Sequence, residues 1–167
     1  MRLILIRHAD AGDPDPHRYS DDHLRPLIPQ GRRDHEVVAR ALARMGCAPS
    51  HLLTSPLRRA RETAEITAQA LGWAGRIEAV DTLGDQFSVA GLLDHLARLP
   101  EDATVVAVGH EPHLSEFAGK LLDSEGAPTI VLRKSGVIGL ECAGKPAPGG
   151  GRLLFLLPAR ELLRLLS

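Results

Sequence analysis

Apolar positions along the chain fall into short blocks separated by polar stretches. RLILI at residues 2–6 is a compact apolar run of the kind shown by a strand buried on both faces. The next stretch, RHADAGDPDPHRYSDDH, is polar and contains Asp-Pro twice. A residue before proline is held out of the α region, so this segment is predicted as a long loop. From Gly31 to Met45 the positions Val37, Val38, Ala41, Leu42 and Met45 recur at helical spacing, and Gly46 supplies a stop. HLLTS at 51–55 reads as a second strand. SPLRRARETAEITAQALG reads as a helix capped by Ser55, with Pro56 in its first turn and Gly72 at its end. RIEAV at 76–80 is a third strand, and Val89–Leu99 a helix closed by Pro100. TVVAV at 104–108 is the most strand-like segment, and GHEPHLSEFAGKLL after it opens another helix.

This alternation of strand and helix through residue 122 predicts an α/β fold with three layers, α/β/α, around a mainly parallel central sheet. The final third changes character. TIVLR, VIGLECA and RLLFLLP read as strands joined by Ser-Gly and by the loop GKPAPGGG, and Arg160–Leu166 as a short closing helix. At 167 residues the chain is expected to be a single domain, 1–167.

Composition narrows the function classes. With 44% hydrophobic and 25% charged residues, the chain is neither disordered nor fibrous. The formal net charge is −1, which gives no global pull toward nucleic acid or an anionic membrane. No apolar run approaches the length of a bilayer span, so neither nucleic acid nor membrane is an expected partner. Two cysteines, Cys47 and Cys142, make no disulfide framework, and a cytoplasmic location is expected. Only Lys120, Lys134 and Lys145 among the 20 basic residues are lysines; the others are arginines, whose planar fork suits phosphate.

The chemistry-bearing residues sit at strand ends. Arg7-His8 follows the first strand and Gly109-His110 the fourth, while Ser55-Pro56 follows the second with Arg58-Arg59 just beyond. The carboxyl ends of parallel strands converge on one crevice, so two imidazoles and two or three guanidiniums meet there. Arginines clamp phosphoryl oxygens, a helix start adds its dipole, and a histidine can attack phosphorus or hold developing charge.

These residues also lie in three recognisable motifs. LIRHADAG resembles the R-H-G signature of the histidine phosphatase superfamily, which includes the phosphoglycerate-mutase-like enzymes. SPLRRARETAE is similar to its second motif and VVAVGHEPHLSEFAG to its third, in the family's order. The resemblance covers essentially the whole chain. The short chain, the RHADA start, RPL…G at Arg25–Gly31 and GHEPHL bring it nearest to the small bacterial phosphohistidine phosphatases of the SixA type. The resemblance implies the phosphoglycerate-mutase-like fold and a metal-independent phosphatase without cofactor. It implies His8 as nucleophile, Arg7 and Arg59 as ligands of the phosphoryl oxygens, and His110 completing the pocket. Arg58, next to the matched arginine, is a further candidate for phosphate contact.

Two departures from the family pattern stand out. Ala9 replaces the usual Gly. In the mutase-like branch a Glu follows the third strand, whereas here the region reads AVDTLGDQFS, which leaves Asp85 as the best placed acid. An alkoxide leaving group needs a proton from the enzyme. An imidazole, whose conjugate acid has a pKa of roughly 6.5, needs less help. The substrate expected is therefore phosphohistidine in a protein, reached through an open and shallow site, with the enzyme a monomer or weak dimer.

Other readings compete. A small-metabolite phosphatase or mutase could use the same scaffold, and a non-catalytic phosphate-binding module is a different class. His110-x-x-His113 invites a metal reading, but no Cys or Glu pair completes a ligand set, so no metal is expected. His17, His23, His35, His51 and His95 have no motif around them and are expected to be surface or structural. Asp10, Asp13, Asp15, Asp21 and Asp22 read as a solvated acidic loop rather than a Mg²⁺ cluster.

Overall fold

The computed structural model of the chain describes residues 1–123, 125 and 130–166. Its elements are β1 (Arg2–Arg7), α1 (Pro29–Arg44), β2 (His51–Thr54), α2 (Arg58–Ala70), β3 (Ile77–Ala79), α3 (Val89–Leu96), β4 (Thr104–Gly109), α4 (His113–Leu122), β5 (Val137–Cys142), β6 (Gly151–Leu157) and α5 (Ala159–Leu166). The six strands form one sheet in the order β3-β2-β4-β1-β5-β6. The first four strands in sequence are parallel; β5 runs antiparallel to β1, and β6 antiparallel to β5. The three-layer α/β/α architecture predicted from the alternation is present.

Strand periodicity divides the core into two faces. Leu3, Leu5 and Val105 point to one side, where α3 and α4 supply Leu92, Leu96, Leu114, Phe117 and Leu121. Ile4, Ile6, Val106 and Val108 point to the other, against Val38 and Leu42 of α1 and Ala60 and Ala64 of α2. Each of the Val, Leu, Ile and Phe side chains contributes about 1.5–3 kcal/mol by leaving water. The small residues of α2 bring that helix close to the sheet. Gly31 lets the start of α1 close on the loop after β1, since a Cβ there would lie 2.2 Å from Asp10 O.

Several boundaries differ from the sequence reading. Helix α1 begins at Pro29, where proline's missing N–H costs nothing. It ends at Arg44, and Gly46 adopts a left-handed φ of +75°. Helix α3 stops at Leu96 instead of Leu99. Ser55 is not the cap of α2. That helix starts at Arg58 after Leu57, and Ser55 Oγ instead accepts the Leu57 N–H at 3.2 Å. TIVLR is not a strand over its described part, Ile130–Arg133. Residue 129 lies outside the described residues. A turn closed by Gly136 N–H to Arg133 O, with Ser135 at φ 59°, takes the backbone out of the sheet there.

Candidate active site

The parallel register delivers the site. Arg7 pairs with Gly109 across β1 and β4, and Thr54 with Val108 across β2 and β4. The next residue on each strand is therefore His8, His110 or Ser55, and the three emerge side by side. Backbone bonds fix them: His8 N–H to Gly109 O at 3.0 Å and Ser55 N–H to Val108 O at 2.9 Å. The two imidazole centroids lie 4.9 Å apart at a tilt of 54°.

Around them is a cavity of about 360 Å³ lined by Arg7, His8, Arg59, Asp85 and His110, with Arg25, Glu111, His113 and Lys134 also contributing. Both imidazoles are only 8% exposed and Arg59 only 9%. His8 Nδ1 lies 2.7 Å from Ala9 O. A carbonyl oxygen can only accept, so Nδ1 carries the proton and Nε2 keeps its lone pair. His110 Nε2 lies 2.8 Å from Ser55 Oγ. Because that hydroxyl already accepts the Leu57 N–H, its own proton can go to His110 Nε2.

The arginines are held from behind. Arg7 donates through one terminal nitrogen to Leu132 O at 2.9 Å. Arg59 donates to Asp22 O at 2.9 Å and pairs with the Asp22 carboxylate at 3.1 Å. The Nε–H of each is buried without a hydrogen-bond partner among the described residues. Such donors are costly unless something accepts from them. Arg25, 6% exposed, straps the loop down through Asp22, Ala11 O and Gly12 O. The Arg25 hydrogen bond is the main reason that the Asp22 carboxyl sits below the usual range.

Burial sets the protonation of the rings. It pushes His8 down to about 4; Arg59, Arg7 and Arg25 lower it further, against the opposing pull of the Ala9 bond. Burial, then His8 and Arg59, push His110 down to about 3. Both rings are neutral at pH 7, as a nitrogen nucleophile requires.

The structure brings Arg7, His8, Arg59, His110 and Asp85 to one cavity. Asp85 follows the helical turn Asp81–Leu83 and lies on the rim, 2.6 Å from His23 Nε2. Arg58 is not among the lining residues; its guanidinium pairs with Glu62 at 2.9 Å. Sequence reasoning missed several participants. Asp22 and His23 read as solvated loop residues, and Ser55 as a cap. Glu111 lines the cavity with its carboxylate occupied by Ser115. His35, expected to be surface or structural, is structural: it is fully buried behind the site, between Ser135 and Thr67. Local sequence does not mark the contacts of Ser55 with His110, of His35 with Thr67 and Ser135, or of Asp22 with Arg59, because these partners are 32 to 100 positions apart.

The chain resembles known proteins. The family model of the histidine phosphatase superfamily (branch 1) matches residues 3–87. An uncharacterised protein of Picosynechococcus sp. is 37% identical over 167 residues, covering 98% of this chain and 99% of its own. An uncharacterised chloroplastic protein of Arabidopsis thaliana is 30% identical, over 91% of this chain and 75% of its own. Among solved structures, the protein histidine phosphatase SixA complexed with tungstate superposes with a TM-score of 0.83 at 22% identity, covering 97% and 99% of the two chains. Phosphoserine phosphatase from Entamoeba histolytica in complex with 3-phosphoglyceric acid gives 0.62 at 21% identity, over 96% and 98%. With the family model spanning half of its length and a relative 37% identical along nearly all of it, the chain belongs to the histidine phosphatase superfamily.

Proposed function

We propose that this protein removes the phosphoryl group from phosphohistidine in proteins, through a covalent intermediate on His8. Membership of the family supports phosphatase chemistry; the substrate is the finer reading. The observation that carries it is the His8 ring, which donates Nδ1–H to Ala9 O beside two buried arginine Nε–H donors that lack partners among the described residues.

In the first step the Nε2 lone pair of His8 attacks phosphorus, and the bond from phosphorus to the substrate imidazole breaks. The departing imidazole keeps the bonding pair and takes a proton from solvent or from Asp85. In the second step water attacks phospho-His8, inorganic phosphate leaves, and the Nε2 lone pair is restored. Arg7 and Arg59 hold the transferring oxygens, and His110 donates to them from Nδ1. The arginines supply the positive charge that a metal would otherwise bring.

Asp85 is exposed and tied to His23, a weak setting for a strong general acid. That favours a substrate whose leaving group departs with little help. A second reading has support of its own, since Asp85 does line the cavity: a small-metabolite phosphomonoesterase. One neighbour in fold is a phosphoserine phosphatase and another a mycobacterial glucosyl-3-phosphoglycerate phosphatase, the latter with TM-score 0.64 at 18% identity. A non-catalytic phosphate binder would have no use for an imidazole fixed with a free lone pair. A panel of phosphohistidine peptide, phosphoramidate and alkyl phosphates decides between them. Phosphohistidine should exceed alkyl phosphates by roughly 10²-fold or more in kcat/KM, the usual worth of general-acid help. Equal rates would favour the metabolite enzyme.

A further inference from the structure

Beside the catalytic cavity lies a second one, of about 570 Å³, between the start of α1, the turn at residues 133–135 and helix α5. Arg7 and Lys134 line both cavities, so the two abut. Beyond that shared wall the second cavity is lined by Arg133, Arg160 and Arg164, all exposed. No carboxylate pairs with any of the three among the described residues, whereas Arg25, Arg32, Arg58, Arg59 and Arg152 are all paired.

Two further features point to an anionic occupant. Arg160 and Arg164 are one helical turn apart on α5, and like charges at that spacing destabilise a helix. Of the two carboxylates in the lining, Asp10 is neutralised by Lys134, which leaves Asp34 against the three free guanidiniums. A guanidinium fork matches a carboxylate with two parallel hydrogen bonds.

We propose that this cavity is a second anion subsite, which holds a carboxylate of the substrate protein while its phosphohistidine occupies the catalytic cavity. The inference rests on the phosphohistidine reading above for the identity of the substrate, but not for the binding of the anion. It predicts that the enzyme selects phosphohistidines with acidic neighbours.

The test uses two fluorescent phosphohistidine peptides, one flanked by glutamates and one by glutamines, with the wild type and the double variant Arg160→Gln, Arg164→Gln. Both arginines are on the surface, so the variant keeps its fold. The double variant should raise KM about tenfold for the acidic peptide and under about twofold for the neutral one, since rim charges act on binding. Turnover of phosphoramidate and kcat for both peptides should not change. Double lysine substitution should restore part of the affinity. An equal effect on both peptides, or no effect on the acidic one, overturns the proposal. Anisotropy with the same peptides lacking the phosphoryl group separates this claim from the substrate reading. If neither phosphopeptide is turned over while p-nitrophenyl phosphate is, the phosphohistidine reading fails. The subsite then stands on a preference for the acidic peptide that the double variant loses, and falls if there is no preference.

Discussion

His35 Nε2 lies 2.8 Å from the Thr67 hydroxyl, and that contact orients a buried clamp on the backbone around His8. Thr67 Oγ1 donates to Thr63 O at 2.9 Å, so toward His35 it accepts and Nε2 carries the ring proton. His35 Nδ1 then accepts from Ser135 Oγ at 3.2 Å, and Ser135 N–H donates to Arg7 O at 3.1 Å. On the other arm, Thr63 Oγ1 accepts the Ala9 N–H at 3.0 Å. His35→Leu leaves the Ser135 hydroxyl buried without its acceptor. Chemical denaturation should show a loss of about 2–4 kcal/mol, the sum expected for an unsatisfied buried group and imperfect packing. His35→Gln, which keeps an acceptor, should lose less.

Stability should also depend on pH. His8 and His35 sit near 4 and His110 near 3, all below the ordinary value of 6.5. Between 6.5 and about 4 the unfolded chain therefore binds more protons than the folded one, so stability falls as pH falls. Above 6.5 this contribution is complete. Each group contributes about 2–3 kcal/mol, and 1 kcal/mol is worth about 2–4 °C in a chain of this size, so calorimetry should find Tm lower at pH 4.5 than at pH 7 by more than about 10 °C. A flat profile over that window would mean that the rings are not buried in neutral form.

Arg59 should matter through geometry as well as charge. Its Nε–H, like that of Arg7, is buried without a hydrogen-bond partner among the described residues, and its terminal nitrogen is already committed to Asp22. Arg59→Lys keeps the charge but loses the fork. Inhibition by inorganic phosphate should weaken by about tenfold or more in Arg59→Lys and further in Arg59→Met, as loss of a charge-assisted bond implies. Full retention of affinity in the lysine variant would contradict a two-point clamp.

Asp85 separates leaving groups. In Asp85→Asn the rate on phosphoramidate should fall by less than about tenfold, because the departing nitrogen carries its own proton, while any turnover of alkyl phosphates should fall by about 10²-fold or more. A large loss on both would make Asp85 a general acid for every substrate.

How much of this could be read from the sequence depends on how local each cause is. His8 and His110 were legible because β-branched and apolar runs announce β1 and β4, and parallel strands put their carboxyl ends together. The parallel sheet followed from the same alternation. Ser55 was misread because Ser-Pro before an apolar-periodic segment is also the signature of a cap. Its contact with His110 depends on β2 and β4 being neighbours. TIVLR has strand composition, yet its described part turns out of the sheet and gives Leu132 O to Arg7. Asp22 and Arg25 acquire roles only once the loop folds back over the strand ends, and no periodicity encodes that. Arg58 and Arg59 are adjacent in sequence, but helical geometry sends one to Glu62 and the other to the cavity.

The measurement closest to the central claim is the location of the phosphoryl group during turnover. Phosphohistidine survives alkali, so the enzyme can be quenched at high pH while it consumes phosphoramidate, and its peptides sequenced by mass spectrometry. The phosphoryl group should be found on His8, attached at Nε2, because Nδ1 is committed to Ala9 O. The His8→Ala variant should carry none and turn over no substrate. A phosphoryl group on His110, or continued turnover by His8→Ala, would contradict the account.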